Sequence, residues 1–126
     1  MGVDGLHQVA QKADDLDGSV AFYRDVLGLR LIARFDPPGL AFFDLGGTRL
    51  LLEHGAPAAL LYLHVDDVDA AVAGLAAAGV DLEQGPMVVH RDDDGTFGPA
   101  GEEERMAFLR DPAGNLIALA TRSLSR

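Results

Sequence analysis

The chain has 126 residues, 48% of them hydrophobic and 24% charged, which is one ordinary globular domain in length and composition. Twenty acidic against ten basic residues give a net charge of −10, which argues against nucleic acid and anionic membrane surfaces as partners. The absence of cysteine excludes disulfides, thiolate catalysis, zinc knuckles and iron–sulfur clusters.

No apolar run approaches the roughly 20 residues of a membrane span, and the opening MGVDGLHQ lacks a basic-then-apolar signal pattern. The expected location is therefore cytoplasmic.

Read along the chain, residues 6–13 form a short β-leaning stretch. Leu16, Val20, Tyr23 and Leu27 then recur at helical spacing, with Asp15 placed to cap the start and Gly28 to close the end. Strands are expected at about 30–35, 40–45 and 49–54, with Gly46-Gly47 as the turn between the last two. The same order then returns. A β-leaning stretch at 59–66 precedes Val68, Val72 and Leu75 at helical spacing, between Asp67 and Gly79. Strands follow at about 80–84, 105–110 and 116–121, the last two joined by Asp111-Pro112-Ala113-Gly114.

This is an internal repeat. Asp15-Leu16-Asp17-Gly18-Ser19-Val20-Ala21 pairs with Asp67-Val68-Asp69-Ala70-Ala71-Val72-Ala73, and Leu40-Ala41-Phe42-Phe43 pairs with Met106-Ala107-Phe108-Leu109. The expected organisation is a single domain, 1–126, of two β-α-β-β-β modules near 5–55 and 58–122. Each is too short to bury its own core, so the two are expected to pair. Residues 91–105 break the repeat. They are charged and Gly-rich, and read as a solvated loop or as a mobile lid over a site.

LHQVAQKADDLDGSVAFYRDVLGLRL, GLAFFDLGGTRLLLE and LRDPAGNLIAL resemble the vicinal-oxygen-chelate superfamily, which includes glyoxalase I, methylmalonyl-CoA epimerase, extradiol dioxygenases and the bleomycin resistance proteins. The resemblance covers nearly the whole chain. It implies an α+β fold in which the two modules form a cup-like pair of half-barrels, with the site on the concave face, and it implies that the chain forms a homodimer. It also implies, in the metal-dependent members, a ring of four ligand positions on the first and last strand of each module. Carried onto this chain, those positions are Gln8, Leu51, Leu60 and Ala118.

Three of these four side chains have no lone pair, so the set does not make a metal site. Glu53 shares a strand face with Leu51 and, with Gln8, would supply two ligands under a shifted alignment. A divalent ion at a re-sited centre of Glu53, His64 and His90 is the alternative. The more ordinary roles are an ion pair of Glu53 with Arg49, a wall imidazole at His64, and surface positions for His54 and His90. His7, one residue from Gln8, is expected on the opposite face.

Strand alternation puts Leu60, Tyr62 and His64 on the cup side, with Leu61, Leu63 and Val65 toward the helices. Ile117 and Leu119 likewise face the helix layer. The expected ligand-binding set is Gln8, Arg49, Leu51, Glu53, Leu60, Tyr62, His64, His90 and Ala118. That lining is mostly apolar with a few polar groups, as expected for a small organic molecule.

Two functions follow. One is a metal-free binding protein, for which the acidic chain suggests a cationic ligand. The other is a lyase or isomerase resembling glyoxalase I or methylmalonyl-CoA epimerase, with Glu53 and His64 as acid and base. A scaffold with a vestigial site is a third.

Overall fold

A computed structural model describes residues 1–124. It contains β1 (Gln8–Lys12), α1 (Leu16–Ala21), β2 (Arg30–Phe35), β3 (Leu40–Leu45), β4 (Thr48–Glu53), β5 (Leu60–His64), α2 (Val68–Ala77), β6 (Leu82–Asp92), β7 (Glu102–Arg110) and β8 (Leu116–Leu124). The architecture is α+β: two β-α-β-β-β modules, each with a four-stranded mixed sheet. The sheets run β1-β4-β3-β2 and β5-β8-β7-β6, and in each the first strand pairs in parallel with the last.

The chain divides into two compact units. The first is residues 1–59 with the turn 111–115, and the second is 60–110 with 116 onward. Among the described residues no helix is long and apolar enough to cross a membrane.

In the first unit, alternation along β4 sends Leu50 and Leu52 to the side on which α1 packs, where both are fully buried with Phe43 of β3. Each such side chain contributes roughly 1.5–3 kcal/mol by leaving water. Asp15 accepts from Gly18 N at 3.2 Å and so caps α1. The expected unbroken helix from Leu16 to Leu27 is not formed, because α1 stops at Ala21 and a π-helical turn occupies Phe22–Val26, closed by Leu27 N donating to Phe22 O at 3.0 Å. The wider turn lets the adjacent Phe22 and Tyr23 both point inward, a pairing that ideal 100° spacing would splay apart.

Asp67 caps α2 by accepting from Ala70 N at 3.1 Å, and Val68 and Leu75 are its buried face. They lie in a core with Ala107, Leu109, Ile117 and Leu119. As expected from alternation, Leu61, Leu63 and Val65 are more buried than Leu60, Tyr62 and His64.

The expected long loop at 91–105 is shorter. β6 runs on to Asp92 and β7 starts at Glu102, with Asp92 opposite Glu102 and Arg91 opposite Glu103. Cross-strand pairing carries charged residues that local propensity reads as loop. The connection that remains, 93–101, is built on Asp92. That carboxylate, 2% exposed, accepts from Thr96 N and Phe97 N at 2.8 Å each and from Arg122 Nη2 at 3.0 Å.

The Phe97 and Thr96 amides, with the Arg122 guanidinium, hold the Asp92 carboxyl below its ordinary 3.8, at about 2, against an opposing cost of desolvation. A depressed carboxyl stabilises the fold above the unfolded value, and that stability is lost as pH falls toward the folded one. Asp92→Asn is therefore expected to be less stable than wild type at pH 5 and to lose less on acidification between about pH 4 and 2. Urea midpoints measured across that interval check this, and parallel pH profiles for the two proteins would refute it.

Candidate functional site

In the first unit, register sorts one sheet face into rows. Gln8 lies opposite Arg49, and Arg49 opposite Asp44. Ala10, Leu51 and Phe42 form the next row, and Lys12, Glu53 and Leu40 the one after. Gln8, Arg49, Leu51 and Glu53, all expected site residues, therefore share this face.

The rows also correct the shifted alignment. Glu53 lies opposite Lys12, four residues along β4 from the partner of Gln8, or about 13 Å at 3.3 Å per residue. Ligands to one ion at about 2.0–2.6 Å cannot start from backbones so far apart and still be a short amide and a carboxylate. Gln8 and Glu53 are not a ligand pair.

Nor does Glu53 pair with Arg49. The Arg49 guanidinium donates from Nε to Gln8 Oε1 at 3.0 Å and lies 3.1 Å from His7 Nε2 through Nη2. It sits 5.8 Å above the Phe42 ring, within cation–π range, and Phe42 meets Phe35 edge-on at 5.9 Å. The nearness of His7 is a second correction. β1 begins at Gln8, so strand alternation does not govern His7, which joins Gln8 at the same guanidinium. Its proximity to Arg49 has no signature in the sequence.

Behind this face lies a polar network that the sequence reading missed. Tyr23, fully buried, donates to Asp111 Oδ2 at 2.7 Å and receives the Gln11 amide. Burial first, and the Asp111 carboxylate second, push the Tyr23 phenol far above its usual range, so it stays a neutral donor. Asn115 donates to Lys12 O at 2.7 Å and to Asp111 Oδ2 at 2.8 Å, and accepts from Ala59 N at 3.0 Å. The 111–115 turn thereby fixes β1 from behind. The usable signal was the run from Asp111 to Asn115, read as a turn and as part of the family resemblance but not as a buried network.

In the second unit, Tyr62 lies opposite Ala118, which lies opposite Phe108, and the Tyr62 and Phe108 rings meet edge-on at 6.4 Å. Leu60 and Leu116 lie one row away, His64 and Ala120 one row the other way. Leu60, Tyr62, His64 and Ala118 thus share a face as expected. Tyr62 is 58% exposed, whereas Ala118 is covered completely.

His90 lies opposite Glu104, which lies opposite Arg122, and its ring meets Phe97 at 6.0 Å. β5 and β6 are the two edges of this sheet, three strand spacings or about 14 Å apart. His64 and His90 therefore cannot serve one ion, and the re-sited centre of Glu53, His64 and His90 is corrected on that ground. Among the described residues no group of three or more His, Asp or Glu side chains is placed to hold a metal. His54 is an exposed residue after β4, 3.7 Å from Asp14.

The residues at the four positions implied for a metal do not fit one. Leu51, Leu60 and Ala118 are hydrocarbon, and the Gln8 amide oxygen is engaged by Arg49.

Two β-α-β-β-β units with the first strand of each parallel to the last define a glyoxalase-type fold. The sequence model of the Glyoxalase/Bleomycin resistance protein/Dioxygenase superfamily matches residues 5–119, and the chain belongs to that superfamily. Among solved structures it is similar to lactoylglutathione lyase from Agrobacterium tumefaciens, with 27% identity, 94% of each chain covered and a TM-score of 0.72. It is also similar to TnmS3, an antibiotic binding protein from Streptomyces sp. CB03234, with 26% identity over 98% of this chain and 99% of that one, and a TM-score of 0.78. An integron cassette protein from the mobile metagenome of V. Pseudocholerae, at 22% identity, 96% of each chain and a TM-score of 0.76, shares the fold.

Proposed function

We propose that this protein binds a small organic molecule without a metal, each unit offering a candidate face of its own: that of Gln8, Arg49, Leu51 and Glu53 in one, and that of Leu60, Tyr62, His64 and Ala118 in the other. The observation that carries this reading is the donor set: hydrocarbon at Leu51, Leu60 and Ala118, and an amide at Gln8 already held by Arg49. The aromatic rings on the same faces, Phe42 and Phe35 in one unit and Tyr62 and Phe108 in the other, suit an apolar or aromatic ligand. The likeness to TnmS3, described as an antibiotic binding protein, supports sequestration as the role.

The second reading, a lyase or isomerase, is favoured by the likeness to lactoylglutathione lyase and by Glu53, a half-covered carboxylate whose side chain has no partner among the described residues.

Metal titration separates the readings. Protein dialysed against chelator is expected to show no saturable zinc or nickel binding at micromolar concentrations. A ligand is expected to stabilise that metal-free protein, in urea titrations, by about 2.7 kcal/mol at a hundredfold excess over Kd. About one equivalent of metal retained after dialysis without chelator, and lost in Glu53→Ala, would overturn the proposal and promote the enzyme.

A further inference from the structure

Nine of the ten Lys and Arg residues lie in the described chain, and eight of them have a carboxylate within 4.0 Å. Arg49 is the exception among the described residues. In a chain with twice as many acids as bases, a cation left without an acid is not what chance pairing gives.

An acid is within reach. Asp44 is the cross-strand partner of Arg49 on the same face, yet its carboxylate lies 3.6 Å from Arg30 and receives Gly47 N at 3.3 Å. Arg49 is instead fixed by neutral groups: the Gln8 amide oxygen, the His7 ring nitrogen and the face of Phe42. These contacts hold the side chain in one place, reducing the rotamer freedom a ligand would otherwise have to remove, while leaving its charge uncompensated. Nη1 has no partner among the described residues. The guanidinium is exposed at the edge of a surface made by Ala10, Leu51 and Phe42, with Phe35, 52% exposed, beyond.

We propose that Arg49 is the anion-recognising residue of this face, and that its ligand is an aromatic carboxylate whose ring lies against Phe42. This rests on the reading of the face as a small-molecule site and adds the ligand's charge. It runs opposite to the cationic ligand that net charge suggests. The −10 of the chain is summed over carboxylates spread across it, and the nearest on this face, Asp44, is held by Arg30 and Gly47 N, whereas a ligand at Arg49 meets one cation without an acid partner at contact distance.

The test uses three probes of one shape: 2-naphthoate, 2-naphthamide and 2-naphthylmethylammonium. Each is titrated into the full chain at low salt, and amide and side-chain NMR shifts are followed. Naphthoate is expected to move Gln8, Arg49 and Phe42 signals and to bind at least tenfold more tightly than the other two. Arg49→Gln is expected to remove that preference, naphthoate then binding no more tightly than naphthamide to the same variant. Arg91→Gln, which deletes an exposed charge in the other unit, is expected to keep it. Equal binding of the three probes, or a preference that survives Arg49→Gln, would overturn the inference and leave the binding reading standing. If no probe perturbs this face, both fall.

Discussion

Asp111→Ala is expected to destabilise the protein by about 3–5 kcal/mol, a large part of the stability of an ordinary domain. Asp111 is 5% exposed and accepts four hydrogen bonds: from Tyr23 Oη at 2.7 Å, Ala113 N at 2.9 Å, and Asn115 N and Nδ2 at 2.8 Å each. Removing the carboxylate strands the Tyr23 hydroxyl and the Asn115 amide where water cannot replace it, at roughly 1–3 kcal/mol for each orphaned group. The two turn amides lose less, because the turn can open to solvent. Tyr23→Phe removes one donor and is expected to cost about 1–2 kcal/mol.

The pair should also couple, since each single change breaks the same bond. A double-mutant cycle is expected to give at least about 1 kcal/mol of interaction. Urea titrations of the four proteins supply both numbers. A cost for Asp111→Ala below about 1 kcal/mol would show that the network is wet and dispensable. Because Asn115 holds Lys12 O, loosening the turn is also expected to broaden Gln8 and Arg49 signals on the far side of β1.

What the sequence made legible follows from which signals are local. Asp15 and Asp67 are read as caps because a helix start needs an acceptor within three residues. Gly28 and Gly79, at φ 74° and 78°, are read as closures because only the left-handed region ends those helices. The alternation that separates Tyr62 from Leu63 is equally local. Register is not. Whether Gln8 meets Arg49 or Glu53 is decided by where β1 lies along β4, a choice between chain segments about forty residues apart. The same holds for His64 and His90, which neighbour one another in the imagined site and occupy opposite edges of the sheet. The unpaired state of Arg49 was beyond reach for a related reason, since it depends on Asp44 being taken by Arg30.

Bulges are the other non-local device, and Gly85 tests how much depends on one. β6 slips against β7 between Gln84, opposite Phe108, and Met87, opposite Met106, and Gly85 lies in the slip at φ 88°. This slip adds one residue to β6, as does the earlier one between Leu82 and Gln84, and the two together preserve its alternation beyond; the next slip, between Val88 and His90, turns His90 to the face of Glu104. A Cβ at position 85 would stand 2.6 Å from the Met106 carbonyl oxygen and 3.1 Å from the Ala107 Cα. Both are backbone atoms of a strand paired on its two sides, so neither can move without breaking ladder bonds. Gly85→Ala is therefore expected to cost about 2–4 kcal/mol, from the left-handed φ and the clash together. Gly74 gives the contrast. It lies inside α2 without a positive φ, and a Cβ there would meet nothing within 4 Å, so Gly74→Ala is expected to stabilise by about 0.5–1 kcal/mol. Urea midpoints for the two variants should move in opposite directions. Amide exchange in Gly85→Ala should quicken along β6 and β7 and stay unchanged in β1 and β4 of the other unit. A Gly85→Ala protein as stable as wild type would mean that β6 reaches His90 by a different register, and His90 would then lose its place on the Tyr62 face.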